Sequence, residues 1–254
     1  MANPSPSSRP IIVIPARLAA TRLPDKPLAD IAGEPMIVHV WRRAVAANLG
    51  PVLVAAGDRA IKDAIERAGG RAVLTDPAHP SGSDRVFEAV QAVDPLGTHG
   101  VVVNLQGDLP TLDPTMVGAV VALLDDPAVD IATLAVAIRE ESERTAAHVV
   151  KAVVSAAPGA ARGRALYFSR QMVPWGEGPH FHHIGIYAYR RAALARFVAL
   201  PPAPLEAREK LEQLRALEAG MRIEVGFVDT VPLGVDTPAD LARARAILGD
   251  KPGT

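Results

Sequence analysis

Short runs of apolar residues, four or five long, recur along the first half of the chain and alternate with segments of helical periodicity. Ile11-Ile12-Val13-Ile14 is the first: four apolar, β-branched residues without a break. Such a run suits a strand covered on both faces, as in a parallel sheet. Pro35 to Asn48 then reads as a helix, with Ile37, Val40, Trp41 and Ala44 on one face. Val52 to Ala56 is a second strand, and Ala60 to Ala68 a helix stopped by Gly69-Gly70. Ala72 to Leu74 is a short strand. Ser83 to Val93 is a helix carrying Val86, Phe87, Val90 and Val93 at helical spacing. Val101 to Leu105 is a fourth strand. Asp113 is placed to cap the next helix, with Pro114 in its first turn.

Past about residue 130 the rhythm changes. Ile131 to Ile138, Val149 to Ser155, Ala165 to Phe168 and Ile184 to Tyr189 read as strands with few helices between them, and Ala156 to Gly163 as a surface hairpin. Helices resume at Leu205 to Ala219 and Pro238 to Leu248, around a strand at Ile223 to Val228. The whole predicts an α/β fold: a mostly parallel mixed sheet, helices on both faces and a β-rich elaboration. One domain over residues 10–248 is expected, with flexible tails at 1–9 and 249–254.

Composition narrows the chemistry. The chain has 27 Lys and Arg against 28 Asp and Glu, a net charge of −1, so a protein built to grip a nucleic-acid backbone is not expected. It has no cysteine, which removes disulfides, thiolate metal sites and a Cys nucleophile. Aromatic residues make up only 4%, so the core must come from Ala, Val, Leu and Ile. No apolar stretch is long enough to span a bilayer as a helix. The start of the chain, rich in Ser and Pro, lacks the apolar run of a signal peptide, and a cytoplasmic location is expected.

Ligands of doubly wound sheets bind at the carboxyl ends of the strands, so the residues after each strand matter most. After the first come Ala16, Arg17, Arg22 and Lys26: three cations in one loop, a charge pattern suited to a polyphosphate, though also to a solvated surface loop. After the fourth comes Asn104-Leu105-Gln106-Gly107-Asp108, whose Asp is placed either to hold Mg²⁺ or to cap a turn. Leu233-Gly234-Val235-Asp236-Thr237-Pro238 offers Thr237 as a helix cap and Asp236 as a second carboxylate. His79-Pro80-Ser81-Gly82-Ser83-Asp84-Arg85 opens a helix whose hydroxyls and backbone could read a base, with Ser83 alternatively a plain cap. In the β-rich half stand Arg170, the pair His182-His183, Tyr187, Glu212, Gln213 and Arg215. These suit an acidic, hydroxyl-rich ligand, and equally a structural histidine and a surface ion pair. The two histidines could start a metal site, but no third ligand has suitable spacing.

Taken in order, the stretches from Ile14-Pro15-Ala16-Arg17 and Thr21-Arg22-Leu23-Pro24 to Lys26-Pro27-Leu28, then Ser81-Gly82-Ser83-Asp84-Arg85, Gln106-Gly107-Asp108, Tyr167-Phe168-Ser169-Arg170, His183-Ile184-Gly185-Ile186-Tyr187, Leu211-Glu212-Gln213-Leu214-Arg215 and Gly234-Val235-Asp236-Thr237-Pro238, resemble the 3-deoxy-manno-octulosonate (Kdo) cytidylyltransferases over residues 10–248. The resemblance implies a transferase of the nucleotide-diphospho-sugar transferase fold. It would activate Kdo with CTP to give CMP-Kdo and pyrophosphate for lipopolysaccharide synthesis, as a cytoplasmic, Mg²⁺-dependent homodimer. It implies that Arg17, Arg22 and Lys26 hold the triphosphate and that Ala16 also binds the nucleotide, with Arg17 and Lys26 acting in catalysis. Ser81, Gly82 and Arg85 would frame the cytosine. Asp108 and Asp236 would be catalytic metal ligands. Gln106, Arg170, His183, Tyr187, Glu212 and Gln213 would line the sugar pocket, with Arg170 toward the sugar carboxylate. Leu109 stands where many members carry Glu, Ala20 where Ser is common and Asp25 where Gly is common. A sialic acid or 8-amino-Kdo cytidylyltransferase is the nearest alternative, and a non-catalytic nucleotide-binding module the alternative from another class.

Overall fold

The computed structural model describes residues 9–18 and 23–249. Most of both expected tails, and Arg22 of the first loop, lie outside the described residues. By its contacts the chain divides into two compact units: Met1–Gly118 with Pro232–Thr254, and Ala119–Val231.

The first unit begins with β1 (Ile11–Ala16), buried along its whole length. A two-residue hairpin follows, β2 (Asp30–Ile31) and β3 (Glu34–Pro35). Ala32 and Gly33 close it with φ of 52° and 83°, the left-handed pair that a tight hairpin demands. Next come α1 (Met36–Ala46), β4 (Val52–Ala56), α2 (Arg59–Arg67), β5 (Arg71–Leu74), α3 (Gly82–Val93), β6 (Val101–Leu105) and α4 (Thr115–Ala122). The strands align in the order β5-β4-β1-β6, with parallel pairings throughout. Their continuous apolar runs are explained by that burial: Ile12, Val13, Ile14, Val54, Ala55, Val102 and Val103 are all fully buried. Asp113 caps α4 as expected, accepting from the backbone N–H and hydroxyl of Thr115. Those two bonds hold its carboxyl below the ordinary range.

The second unit carries β7 (Ile131–Ala137), α5 (Glu141–Thr145), β8 (Lys151–Ser155), β9 (Arg162–Ser169), β10 (Phe181–Arg190), α6 (Arg191–Ala199), α7 (Pro204–Glu209), α8 (Gln213–Glu218) and β11 (Ile223–Val228). Its strand order is β10-β7-β11-β9-β8, mixed in direction: β11 runs parallel to β7, while the other pairs are antiparallel. β8 and β9 form the expected hairpin, and β8 also pairs with the start of β10. One expectation fails here. Leu205 to Ala219 is not one helix but α7 and α8. Lys210 between them sits at φ 57°, ψ 45°, a left-handed conformation that ends α7.

The chain returns to the first unit and ends in α9 (Pro238–Gly249), so Gly249 belongs to a helix rather than to a tail. Thr237 and Asp240 cap it reciprocally: Asp240 N–H donates to Thr237 Oγ at 3.2 Å and Thr237 N–H to the Asp240 carboxylate at 3.0 Å. α9 packs its Leu241 and Ala244 against Ile31, Met36 and Val235. This small cluster ties the last helix to the β2–β3 hairpin.

Candidate active site

The carboxyl ends of β1 and β6, with the segment that leads from β5 into α3, open into a cleft of about 470 Å³ in the first unit. Ala16, Arg17, Lys26, Ser81, Gly82, Arg85, Gln106, Asp108 and Asp236 all line it, joined by prolines 15, 27 and 80, Leu23 and Gly107. Nine residues picked from separate stretches of sequence therefore share one cavity.

At its centre is Lys26. Its Nζ donates to Asp108 Oδ2 and Asp236 Oδ1, each at 2.9 Å, although these partners lie 82 and 210 residues away in the chain. Burial alone would lower the ammonium pKa, but Asp108 and Asp236 outweigh it and hold Lys26 above its ordinary 10.5. The lysine therefore stays charged. Backbone bonds set this meeting: Val235 N–H donates to Asp108 O at 3.0 Å, pinning one acidic loop to the other. Gly107 lets the β6 loop come close, because a Cβ there would fall 2.8 Å from Pro15 O. Leu109, at the position where the resembling family often has Glu, is buried, with Cδ2 3.8 Å from where a Gly234 Cβ would stand. It therefore serves packing.

On the other wall Ser81, not Ser83, is the N-cap of α3: Ser81 Oγ accepts from Asp84 N–H at 3.2 Å. Arg85 follows on the first turn. It is 2% exposed, and its Nη1 donates to Thr75 Oγ at 2.6 Å. Thr75 Oγ in turn lies 3.1 Å from Ala56 O. Burial, then the nearby Arg17, pull Arg85 below its ordinary range. Gly57 makes the room, since a Cβ there would meet Arg85 Nη1 at 2.8 Å. Arg85 Nη2 is buried with no acceptor among the described residues. A buried donor at the wall of a cleft marks a place for a ligand oxygen. Asp58 Oδ2 accepts from Leu18 N–H at 2.8 Å and holds the start of the cationic loop. Thr75 and Asp58 were not singled out from sequence, yet both follow strands, and the carboxyl-end rule applied to β4 and β5 would have found them.

The remaining candidates lie in the second unit. His183 sits among aromatic rings, with ring-centre distances of 5.0 Å to Phe168 and 5.4 Å to Tyr187. Its Nε2 is 3.0 Å from Thr133 Oγ, whose hydroxyl lies 2.8 Å from Ile186 O. With that hydroxyl hydrogen given to the carbonyl, Nε2 is the protonated nitrogen of a neutral ring. Burial, with a smaller push from His182, lowers the His183 pKa from 6.5 to about 3. Burial likewise drives the Tyr187 hydroxyl well above its ordinary range. Both are therefore neutral hydrogen-bonding groups. Gln213 is buried and its Nε2 has no acceptor among the described residues. Among the described residues no cluster of three His, Asp or Glu forms a metal site, so the His182-His183 pair gains no third ligand. Arg170 is engaged: Nε donates to Glu209 O at 2.9 Å, Nη1 to Ala147 O at 3.2 Å and Nη2 to Lys210 O at 3.3 Å.

Comparisons with known proteins place the chain closely. The cytidylyltransferase family model matches residues 11–223. A 3-deoxy-manno-octulosonate cytidylyltransferase of Rhodospirillum centenum is 70% identical over 244 residues, covering 96% of this chain and 95% of the relative. One of Paramagnetospirillum magneticum is 66% identical, covering 94% and 97%. Among solved structures, a CMP:2-keto-3-deoxy-manno-octonic acid synthetase complexed with CTP superposes with a TM-score of 0.87 at 40% identity, covering 95% of this chain and 99% of that one. A cytidylyltransferase from Leptospira borgpetersenii, 14% identical with a TM-score of 0.62 over 96% and 88%, shares the fold.

Proposed function

The chain belongs to the 3-deoxy-manno-octulosonate cytidylyltransferase family, and from its site we propose that it activates Kdo with CTP, giving CMP-Kdo and pyrophosphate, by direct in-line displacement at the α-phosphorus. The observation that carries this reading is the meeting of Lys26, Asp108 and Asp236 in the cleft that Arg17 and Arg85 also line. That cleft receives the nucleotide. Arg17 and Lys26 hold the triphosphate, with Arg22 of the same loop. Ser81, Gly82 and the unpaired Nη2 of Arg85 take the edge of the cytosine, an Arg donor being matched to a pyrimidine carbonyl.

The site fits Mg²⁺. Asp108 and Asp236 are two hard oxygen donors that already reach a common cation, and Mg²⁺ uses one or two carboxylates, leaving its other positions to water and phosphate. Bound there, Mg²⁺ would neutralise charge growing on the α-phosphate and on the leaving pyrophosphate. The chain's own part is to position and to stabilise charge. Lys26 stays protonated and supplies a fixed positive charge beside the phosphates. Arg170, His183, Tyr187, Glu212 and Gln213 are the second unit's groups for the sugar, Arg170 for its carboxylate, and Gln106 is the first unit's. His183 is too weak a base to take the proton of the attacking anomeric hydroxyl, because its nitrogen titrates at about 3. It orients a hydroxyl instead.

Family membership supports a place in lipopolysaccharide synthesis, and we propose a homodimeric assembly. Among the described residues no helix is long and apolar enough to cross a membrane, and we propose a cytoplasmic location. Pyrophosphate release with a panel of sugars and nucleotides tests the reading. Release should require CTP, Kdo and Mg²⁺ together. Release with sialic acid or 8-amino-Kdo but not Kdo would overturn the sugar assignment, and no release with any acid sugar would leave a binding module.

A further inference from the structure

Lys151 is fully buried, and the proposed reaction gives it no role. Its Nζ donates to three backbone carbonyls: Ala146 O at 2.9 Å, Val149 O at 2.7 Å and Arg170 O at 2.9 Å. All three ammonium hydrogens are thereby used. Burying an ammonium is costly, and an apolar side chain of the same length would fill the space without that cost. The charge therefore has work that packing alone does not require: it draws the loop after α5 and the end of β9 to one point.

Glu209 completes the arrangement from the opposite side. Its Oε1 accepts from Ser169 Oγ at 2.8 Å and its Oε2 from Arg170 N–H at 3.0 Å. The backbone of Arg170 is thus held at its carbonyl by Lys151 and at its amide by Glu209. The guanidinium is held as well, giving three of its N–H groups to Glu209 O, Ala147 O and Lys210 O. A guanidinium has five N–H groups, so among the described residues one remains on each terminal nitrogen, and two N–H groups of one guanidinium can bridge a carboxylate. Two cations and one carboxylate leave this group one positive charge in excess. Arg170 also pushes the Lys151 pKa down, after burial and against the opposing pull of Glu209, so the two cations feel each other.

We propose that Lys151 and Glu209 are positioning residues for the acid sugar, fixing Arg170 so that its two remaining N–H groups meet the carboxylate of Kdo. The proposal rests on the assignment of Arg170 to that carboxylate. Steady-state kinetics of Lys151→Met, Glu209→Ala and Arg170→Lys, with each substrate varied in turn and folding checked by circular dichroism, test it. Loss of orientation by a fraction of an ångström predicts a rise of about tenfold or more in KM for Kdo in Lys151→Met and Glu209→Ala, with KM for CTP changed less than about twofold. Glu209 is only half-buried, so Glu209→Ala remains informative if Lys151→Met does not fold. If Arg170→Lys raises KM for Kdo while folded Glu209→Ala does not, or if Glu209→Ala shifts both KM values together, the positioning role is overturned. If Arg170→Lys leaves KM for Kdo unchanged, the sugar assignment itself falls.

Discussion

Acidification should destabilise this protein through His183, and the size of the effect can be worked out. The native imidazole titrates at about 3 against 6.5 in the unfolded chain. Between those values the unfolded chain binds the proton and the native protein does not. Stability is thus complete above pH 6.5 and falls as pH drops toward 3. At 1.36 kcal/mol per pH unit, going from about pH 8 to about pH 5 removes roughly 2 kcal/mol through this one residue. In a protein of this length that is roughly 4–8 °C in Tm. A difference isolates this residue: thermal or urea unfolding of wild type and His183→Gln at both pH values. His183→Gln keeps an N–H for Thr133 Oγ and cannot titrate. Its loss between the two pH values should be smaller than the wild-type loss by about 2 kcal/mol. Parallel losses in the two proteins would refute the desolvated, neutral imidazole.

Three further substitutions probe the first unit. Lys26→Met should reduce kcat/KM for CTP by about two to three orders of magnitude. Its effect on unliganded stability should stay within about 1 kcal/mol by urea titration, because Asp108 and Asp236 are partly solvated, and a large loss of stability with normal turnover would contradict the role given to Lys26. Thr75→Val removes the acceptor that orients Arg85, so KM for CTP should rise roughly tenfold with KM for Kdo unmoved, and Thr75→Ser should restore it. Equal kinetics for Thr75→Val and wild type would contradict this. Gly107→Ala places a methyl group 2.8 Å from Pro15 O and should cost about 1–3 kcal/mol in a urea melt, together with most of the turnover. A fully stable, active variant would mean that the loop moves freely.

What the sequence revealed follows from how each part is stabilised. β1, β4 and β6 are legible because both faces are covered, so their residues run apolar, broken only by the buried Asn104 of β6. α9 is legible through Thr237 and Pro238, whose capping chemistry is local. The division at Lys210 is not, because a left-handed lysine carries no mark that a glycine would. α6 was also not anticipated, although it buries Ala193, Leu194 and Phe197. Single residues of the cleft could be chosen by their position after a strand. The meeting of Lys26 with Asp108 and Asp236 could not, since loops far apart in sequence are joined by bonds such as Val235 N–H to Asp108 O. The same holds for Arg170. Its type and motif pointed to an acid, but the three carbonyls and the buried Lys151 that fix it are products of tertiary structure.

The central claim, that Asp108 and Asp236 converge to act together on the nucleotide, is tested most directly by turnover of Asp108→Asn and Asp236→Asn. CMP-Kdo formation from CTP and Kdo should be followed at saturating Mg²⁺, alongside unfolding curves. Each variant should fold and lose about two or more orders of magnitude in kcat. Normal turnover by either one would contradict the two-carboxylate site.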